Sequence, residues 1–327
     1  MMAGTGESVT YAELDCLSNQ AAHFFRHLGL NPGDGITILL PNVIQYLQIV
    51  WAAQRSGLYY TPISVLFQKD EIEYIVNNSD ARLLITNGEL VSRVDTGNIA
   101  ARVLLLEDWE ELTQDLPVIP VPDEQEGAEM IYSSGTTGKP KGVRLPMVHA
   151  EPGTISSLVE TRIKLHGMDS NVRYLSTAPL YHSAPIRYNL MVTRLGGTSI
   201  IMEKFDAETA LSLIQEHGIT HCQWVPTMFV RLLQLPEEVR RSYDTSTMKY
   251  AIHAAAPCPI AVKEQMIDWW GPTLYEYYSG TEANGQTTIT TEQWLRHKGS
   301  VGKAIHGEIH ILDEDGNELP TNETGII

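Results

Sequence analysis

The residues best equipped for chemistry in this 327-residue sequence lie in residues 131–143, which read IYSSGTTGKPKGV. Gly135, Gly138 and Gly142 permit positive φ, so the backbone can turn several N–H groups toward one point. Ser133, Ser134, Thr136 and Thr137 add hydroxyl donors, and Lys139 and Lys141 add positive charge. Only a polyanion needs all of these together, so the stretch reads as a phosphate cradle. A flexible surface hairpin has a similar Gly, Ser and Thr content. Met130-Ile131-Tyr132 before the loop and Val143 after it favour instead a loop pinned at both ends by strands. A Walker P-loop needs Gly-Lys followed by Ser or Thr at a helix start, whereas Pro140 follows Lys139 here.

Other stretches carry reactive or small residues in short order. Residues 176–182 read STAPLYH and end on Tyr181-His182. Residues 253–257 are small apart from His253, and a strand-like segment from residue 273 runs into Ser279-Gly280-Thr281-Glu282. Each of these taken alone could equally be packing. His217 and His221 have the i, i+4 spacing of a zinc pair, but Gly218 breaks the helix that would align them. Cys258 has no evident base partner and reads as structural.

YSSGTTGKPKG resembles the phosphate-loop signature of the adenylate-forming (AMP-binding) enzymes, which include acyl-CoA synthetases, peptide-synthetase adenylation domains and firefly luciferase. The order of the later motifs extends the resemblance over nearly the whole chain. It implies activation of a carboxylic acid, fatty or aromatic, by ATP and Mg²⁺ to an acyl-adenylate, then thioester formation with coenzyme A. It also implies residue roles. Ser133, Ser134, Gly135, Thr136, Thr137, Gly138 and Lys139 would hold the ATP phosphates. Tyr181 and His182 would lie beside the substrate carboxylate, with Trp224 and Ala254 lining the acyl pocket. Ala255, Ala256 and Pro257 would run along the adenine, and Glu276, Tyr277, Tyr278, Ser279 and Thr281 would complete the nucleotide site. Within that second motif Tyr278 would pack on adenine, Thr281 contact phosphate and Glu282 reach Mg²⁺. The catalytic set implied is Thr136, Lys139, His182, Thr281 and Glu282.

Two departures bear on specificity and geometry. His182 stands where amino-acid-activating relatives carry an aspartate, which argues against an amino-acid substrate, and Ser279 replaces the family's usual glycine. Two alternatives stay open: a carrier-protein thiol in place of CoA, or a nucleotide- or acyl-binding protein without catalysis.

Composition narrows the class. Lys plus Arg number 23 against 40 Asp plus Glu, a net charge of −17 without a basic run, so a nucleic-acid partner is excluded. Cys16, Cys222 and Cys258 form no CxxC pair and suit a reducing compartment. No run approaches the roughly 18 apolar residues of a membrane span, so a soluble cytoplasmic protein is expected.

The elements that must position these motifs can be read from periodicity. Thr10-Tyr11-Ala12-Glu13 is a capping box, and Leu14, Leu17, Ala21, Phe24, Phe25 and Leu28 follow at helical spacing until Gly29. Residues 36–40 read as a buried strand, and Pro41-Asn42 opens a second helix ending near Ser56. Residues 58–63, 82–86 and 103–106 read as strands separated by helical segments, an alternation that favours a mainly parallel sheet covered by helices. An acidic, proline-rich connection over residues 114–126 leads to the phosphate loop. Asp206 caps a helix to about His217, and residues 219–225 and 250–253 read as further strands. Residues 309–319 read as a hairpin, and residues 325–327 begin a strand with nothing to pair with.

The resemblance implies an α/β fold: two helix-flanked, mainly parallel sheets packed together, then the start of a small β-barrel after Lys298-Gly299-Ser300-Val301-Gly302. The approximate subdomains are residues 1–170, 171–298 and 299–327. Beyond Ile327 it implies a ribose-binding aspartate, a hinge and a small domain with a catalytic lysine. The given sequence contains none of these, so the chain is expected to be the large N-terminal part of such an enzyme, unable to complete thioester formation alone.

Overall fold

The computed structural model describes residues 1–133 and 139–327. Thr10 starts the first helix, α1 (Tyr11–His27): its side chain accepts from the Glu13 N–H, and Glu13 accepts from the Thr10 N–H at 2.7 Å. β1 (Gly35–Leu39) is buried along its whole length, as a strand covered on both faces must be. The next helix, α2 (Gln45–Arg55), begins at Gln45 and not at Pro41-Asn42. The Asn42 side chain is committed elsewhere: it donates to the carbonyls of Ala178 and Met202 and accepts from the Leu180 N–H.

Strand and helix then alternate through β2 (Tyr59–Pro62), α3 (Lys69–Asn78), β3 (Ala81–Thr86), α4 (Gly88–Val91), β4 (Arg102–Leu105), α5 (Trp109–Thr113) and β5 (Ala128–Ser133). β5 pairs antiparallel with β6 (Lys141–Arg144), Ser133 opposite Lys141, so the two ends of the glycine-rich loop are held side by side. The sheet order is β4-β3-β1-β2-β5-β6, and only that last pair is antiparallel.

After α6 (Ser157–Leu165) the chain builds a second sheet from β7 (Arg173–Ser176), β8 (Thr198–Ile201), β9 (His221–Trp224), β10 (Tyr250–His253) and β11 (Leu274–Ser279), all parallel. β12 (Gln286–Thr290) and β13 (Lys303–His306) add antiparallel at one edge, giving the order β13-β12-β11-β10-β9-β7-β8. The helices of this half are α7 (Ser183–Arg194), α8 (Ala207–His217), α9 (Pro226–Leu233), α10 (Glu237–Arg241), α11 (Ile260–Trp270) and α12 (Thr291–Arg296). Asp206 caps α8 by accepting from the Thr209 N–H, and Gly218 ends it at φ +56°.

One apolar core crosses from sheet to sheet: Leu180, Ile186, Leu190 and Ile201 pack with Ile36, Ile38, Ile49 and Tyr60. Asn42 fastens the same boundary, and Met2 bridges to Ile201. The expected pair of helix-flanked, mainly parallel sheets is therefore the architecture observed. Past residue 299 the chain supplies β13 to the sheet edge, then a turn held by isolated bridges from Leu312 to Glu318 and Ile326. The expected unpaired strand at residues 325–327 is corrected, because Leu312 and Ile326 exchange backbone hydrogen bonds of 2.7 and 2.8 Å. No described helix is long and apolar enough to cross a membrane.

Candidate active site

A cavity of about 620 Å³ opens where the carboxyl ends of strands from both sheets converge. β2 contributes Pro62, β5 Ile131, Tyr132 and Ser133, β9 Gln223 and Trp224, and β11 Tyr277 and Ser279. In open α/β sheets this is the edge where ligands bind, since parallel strands end there together and their loops diverge. Segments just beyond the strand ends close the walls: Tyr181 and His182 before α7, Ala254 and Ala255 after β10, Gly280 and Thr281 after β11. Of the residues singled out in the sequence, Ser133, Tyr181, His182, Trp224, Ala254, Ala255, Tyr277, Ser279 and Thr281 thus share one cavity.

The others lie elsewhere. Ser134, Gly135, Thr136, Thr137 and Gly138 fall outside the described residues. Lys139 is off the cavity wall, its Nζ 5.2 Å from the centroid of the Tyr74 ring on α3 in a cation–π contact. Strand alternation puts Glu276 and Tyr278 on the face of β11 opposite Tyr277 and Ser279, so neither side chain lines the cavity. Glu276 departs from its sequence reading: its buried carboxylate accepts from Lys263 Nζ of α11 at 2.5 Å. Tyr278 is 48% exposed, and Ala256 and Pro257 are also exposed.

Local geometry explains how the site residues are held. His182 precedes α7 with its ring 4.7 Å from that of Tyr181, centroid to centroid and nearly edge-on. Desolvation holds its pKa below that of an ordinary imidazole, so it is neutral at neutral pH. Burial pushes the Tyr181 phenol up, and a hydrogen bond with Ser64 works against that shift. Ser279 ends β11 opposite Gln286, and its hydroxyl donates to the Gly285 carbonyl at 2.8 Å, closing the turn that carries Thr281 and Glu282. Its φ is not positive, so the serine sits without strain where the family has glycine.

Glu282 is exposed and makes no hydrogen bond or ion pair among the described residues, which contain no cluster of three potential metal ligands. Mg²⁺ needs only one or two protein carboxylates when substrate phosphates and water complete its shell, so a free carboxylate beside Thr281 fits it. The two histidines at zinc spacing do not converge. Both ring nitrogens of His221 are engaged, with the Thr220 hydroxyl at 2.8 Å and the His166 carbonyl at 2.7 Å. Burial pushes the Cys258 thiol up to about 11, as a structural cysteine requires.

Arg187 escaped the sequence reading. Its Nε donates to Glu129 Oε1 at 2.5 Å and its Nη2 to the Thr281 carbonyl at 3.4 Å, so one guanidinium ties α7, β5 and the turn after β11 together. Its partners stand 58 and 94 positions away in sequence, beyond any local pattern. The one available signal is a charge set between the buried Ile186 and Tyr188 of α7. Arg162, Gln223 and Tyr188 also line the cavity unannounced.

The sequence profile described as AMP-binding enzyme matches residues 1–327. The chain belongs to that family. A feruloyl-CoA synthase of an Amycolatopsis species is 29% identical over 330 residues, an alignment covering 98% of this chain and 65% of that protein. A 4-coumarate–CoA ligase of Pinus taeda is 26% identical, with 99% of this chain and 63% of that one covered. The long-chain-fatty-acid–CoA ligase FadD13 of Mycobacterium tuberculosis is also 26% identical, with coverages of 95% and 63%. The chain therefore spans under two thirds of the length of these curated relatives. Among solved structures, the inhibitor-bound N-terminal domain of FACL13 from M. tuberculosis superposes with a TM-score of 0.82 at 24% identity, covering 97% of this chain and 81% of that one. MatB from Rhodopseudomonas palustris gives 0.81 at 22%, covering 99% and 65%. Both share the two-sheet fold.

Proposed function

We propose that this chain carries the site at which a carboxylic acid, fatty or aromatic, is activated by ATP. The carboxylate attacks the α-phosphorus, the bond to the leaving pyrophosphate breaks, and the acyl-AMP then passes its acyl group to the thiol of CoA with release of AMP. The observation that carries this reading is the single cavity shared by Ser133, His182 and Thr281 at the strand carboxyl ends of an AMP-binding family member. Relatives named for ferulate, 4-coumarate and long-chain fatty acids support the acid class.

The chemistry accounts for the residue types. A carboxylate approaching a triphosphate meets like charge, so fixed donors must stabilise the charge that spreads through an in-line displacement. Ser133 and Thr281 both bring hydroxyls to the cavity, and the neutral His182 can orient the carboxylate without trapping it as an ion pair. Mg²⁺, held by Glu282 when bound, would neutralise phosphate charge. Arg187 fixes the Thr281 carbonyl, and with it the turn, relative to β5. Ala254 and Ala255 leave room for a flat group against the backbone, while Trp224 and Tyr277 give an apolar wall. A cytoplasmic location belongs to the same proposal, supported by three cysteines that are all free.

The test is acid-dependent exchange of labelled pyrophosphate into ATP over a panel of fatty and hydroxycinnamic acids, followed by CoA or a phosphopantetheinylated carrier as acceptor. Exchange with at least one acid is expected from the chain, and thioester with CoA only where the small lysine-bearing domain that the family resemblance implies is supplied with it. ATP binding without exchange on any acid would defeat the proposal.

A further inference from the structure

We propose that the acid taken by this site is a dicarboxylic acid, whose second carboxylate is held by Arg162 while the first is activated; this rests on the adenylation reading above. Arg162 sits on α6, half-buried, on the wall of the cavity shared by Ser133, His182 and Thr281. Its Nε and Nη2 both donate to one neutral acceptor, Gln286 Oε1, at 3.1 and 2.8 Å. Its Nη1 makes no hydrogen bond among the described residues. No carboxylate pairs with it there either, and the stretch from Ser134 to Gly138 contains no acidic residue.

The other arginine on the cavity wall, Arg187, is compensated by Glu129, and elsewhere in the fold Arg194 is paired with Glu126 and Lys263 with Glu276. Scarcity of acid is not the reason, in a chain with 40 acidic residues against 23 basic ones. A half-buried guanidinium held by a neutral amide, with donors left over, is an anion site whose counter-charge arrives with the ligand.

A second group points the same way. Gln223 also lines the cavity and is 7% exposed; its Nε2 donates to the Tyr277 hydroxyl at 2.9 Å, and its buried Oε1 has no partner. Were the amide turned over, the Tyr277 hydroxyl could donate to its oxygen and the NH₂ would be left as a donor, the complement a carboxylate needs. An alkyl tail would leave both groups unsatisfied, and a phenol would answer a hydrogen bond but not the charge. Arg162 also acts electrostatically on Tyr188 and Tyr277, opposing the rise that burial imposes on both phenols.

The probes are stable acyl-sulfamoyl adenosines in two matched pairs, hexanoyl against 5-carboxypentanoyl and cinnamoyl against 4-carboxycinnamoyl, titrated calorimetrically into the parent chain, Arg162→Met and Arg162→Lys. In at least one pair the carboxy analogue should bind the parent about tenfold or more tightly than its uncharged partner. Arg162→Met should abolish that preference while leaving the uncharged analogue within about twofold, and Arg162→Lys should keep part of it. Equal affinities in both pairs, or a preference that survives Arg162→Met, would overturn the assignment and leave adenylation standing. Equal weakening of both analogues would place Arg162 on the adenylate and overturn it too. A folded parent that binds none of the four would bring down the adenylation reading, and this inference with it.

Discussion

Ala255 and Ala283 hold φ of +76° and +55°, a backbone region that side chains with a Cβ seldom adopt. One follows β10 on the cavity wall, and the other follows Glu282. Strain of this kind survives only where the surroundings over-determine the backbone, and it clusters at ligand sites. Ala255→Gly should therefore leave the melting temperature unchanged or raised, while Ala255→Val should cost about 1–3 kcal/mol by chemical denaturation. Equal stability of the two variants would show that the turn relaxes freely. Glu282 gives the corresponding test of chemistry. Glu282→Gln removes a carboxylate that supports nothing else among the described residues, so melting should not change. Mg²⁺-dependent pyrophosphate exchange should nevertheless fall about 10²-fold, the scale of one lost electrostatic group. An unaltered rate would remove Glu282 from the site.

At the scale of elements, α11 and β11 are joined by an ion pair with almost no access to water. Lys263 Nζ lies 2.5 Å from Glu276 Oε2 and 4.8 Å from the Trp294 ring centroid. Lys263→Met strands a buried carboxylate and should cost about 3–5 kcal/mol, whereas Lys263→Met with Glu276→Leu should recover most of that loss. Urea denaturation of both variants decides this; a double variant no better than the single would mean that the pair is not what joins the two elements. Elements of this kind mark the boundary of what sequence can reveal. The capping box at Thr10, the stop at Gly218 and the strand cores are local patterns, and they were legible. The start of α2 was not, because Asn42 bonds to Ala178, Leu180 and Met202, which lie far along the chain. Tyr181, His182 and Thr281 were legible as motifs, while Arg187 and Gln223 acquire their roles only when β5, β9 and α7 meet around a cavity.

The whole molecule should respond to acid through its buried histidines. Burial drives His166 down from 6.5 to about 3, and also lowers His221 and holds His253 well below the ordinary value. All three are neutral in the folded chain and take up a proton on unfolding. Their stability contribution is complete above the unfolded pKa near 6.5 and is lost as pH falls toward the depressed folded values. Each histidine costs up to about 1.4 kcal/mol per pH unit across that window. Burial raises the carboxyls of Glu124 and Glu126, which respond in the opposite sense and offset part of the loss. A net fall of about 2 kcal/mol between pH 7.5 and 5.5, read by urea denaturation at constant ionic strength, is expected. Stability that holds or rises over that interval would mean that the histidines open to water.

On the proposed function, one cavity joins a carboxylate to the α-phosphate of ATP. Acid labelled with ¹⁸O in its carboxylate, incubated with the chain, MgATP and hydroxylamine as acceptor, tests it through the mass of the AMP released. The predicted result is AMP carrying one ¹⁸O, transferred when the acyl-phosphate anhydride forms through a carboxylate oxygen and is later cleaved at its acyl carbon. Unlabelled AMP, label in inorganic phosphate, or ATP consumption that ignores the acid would contradict the account.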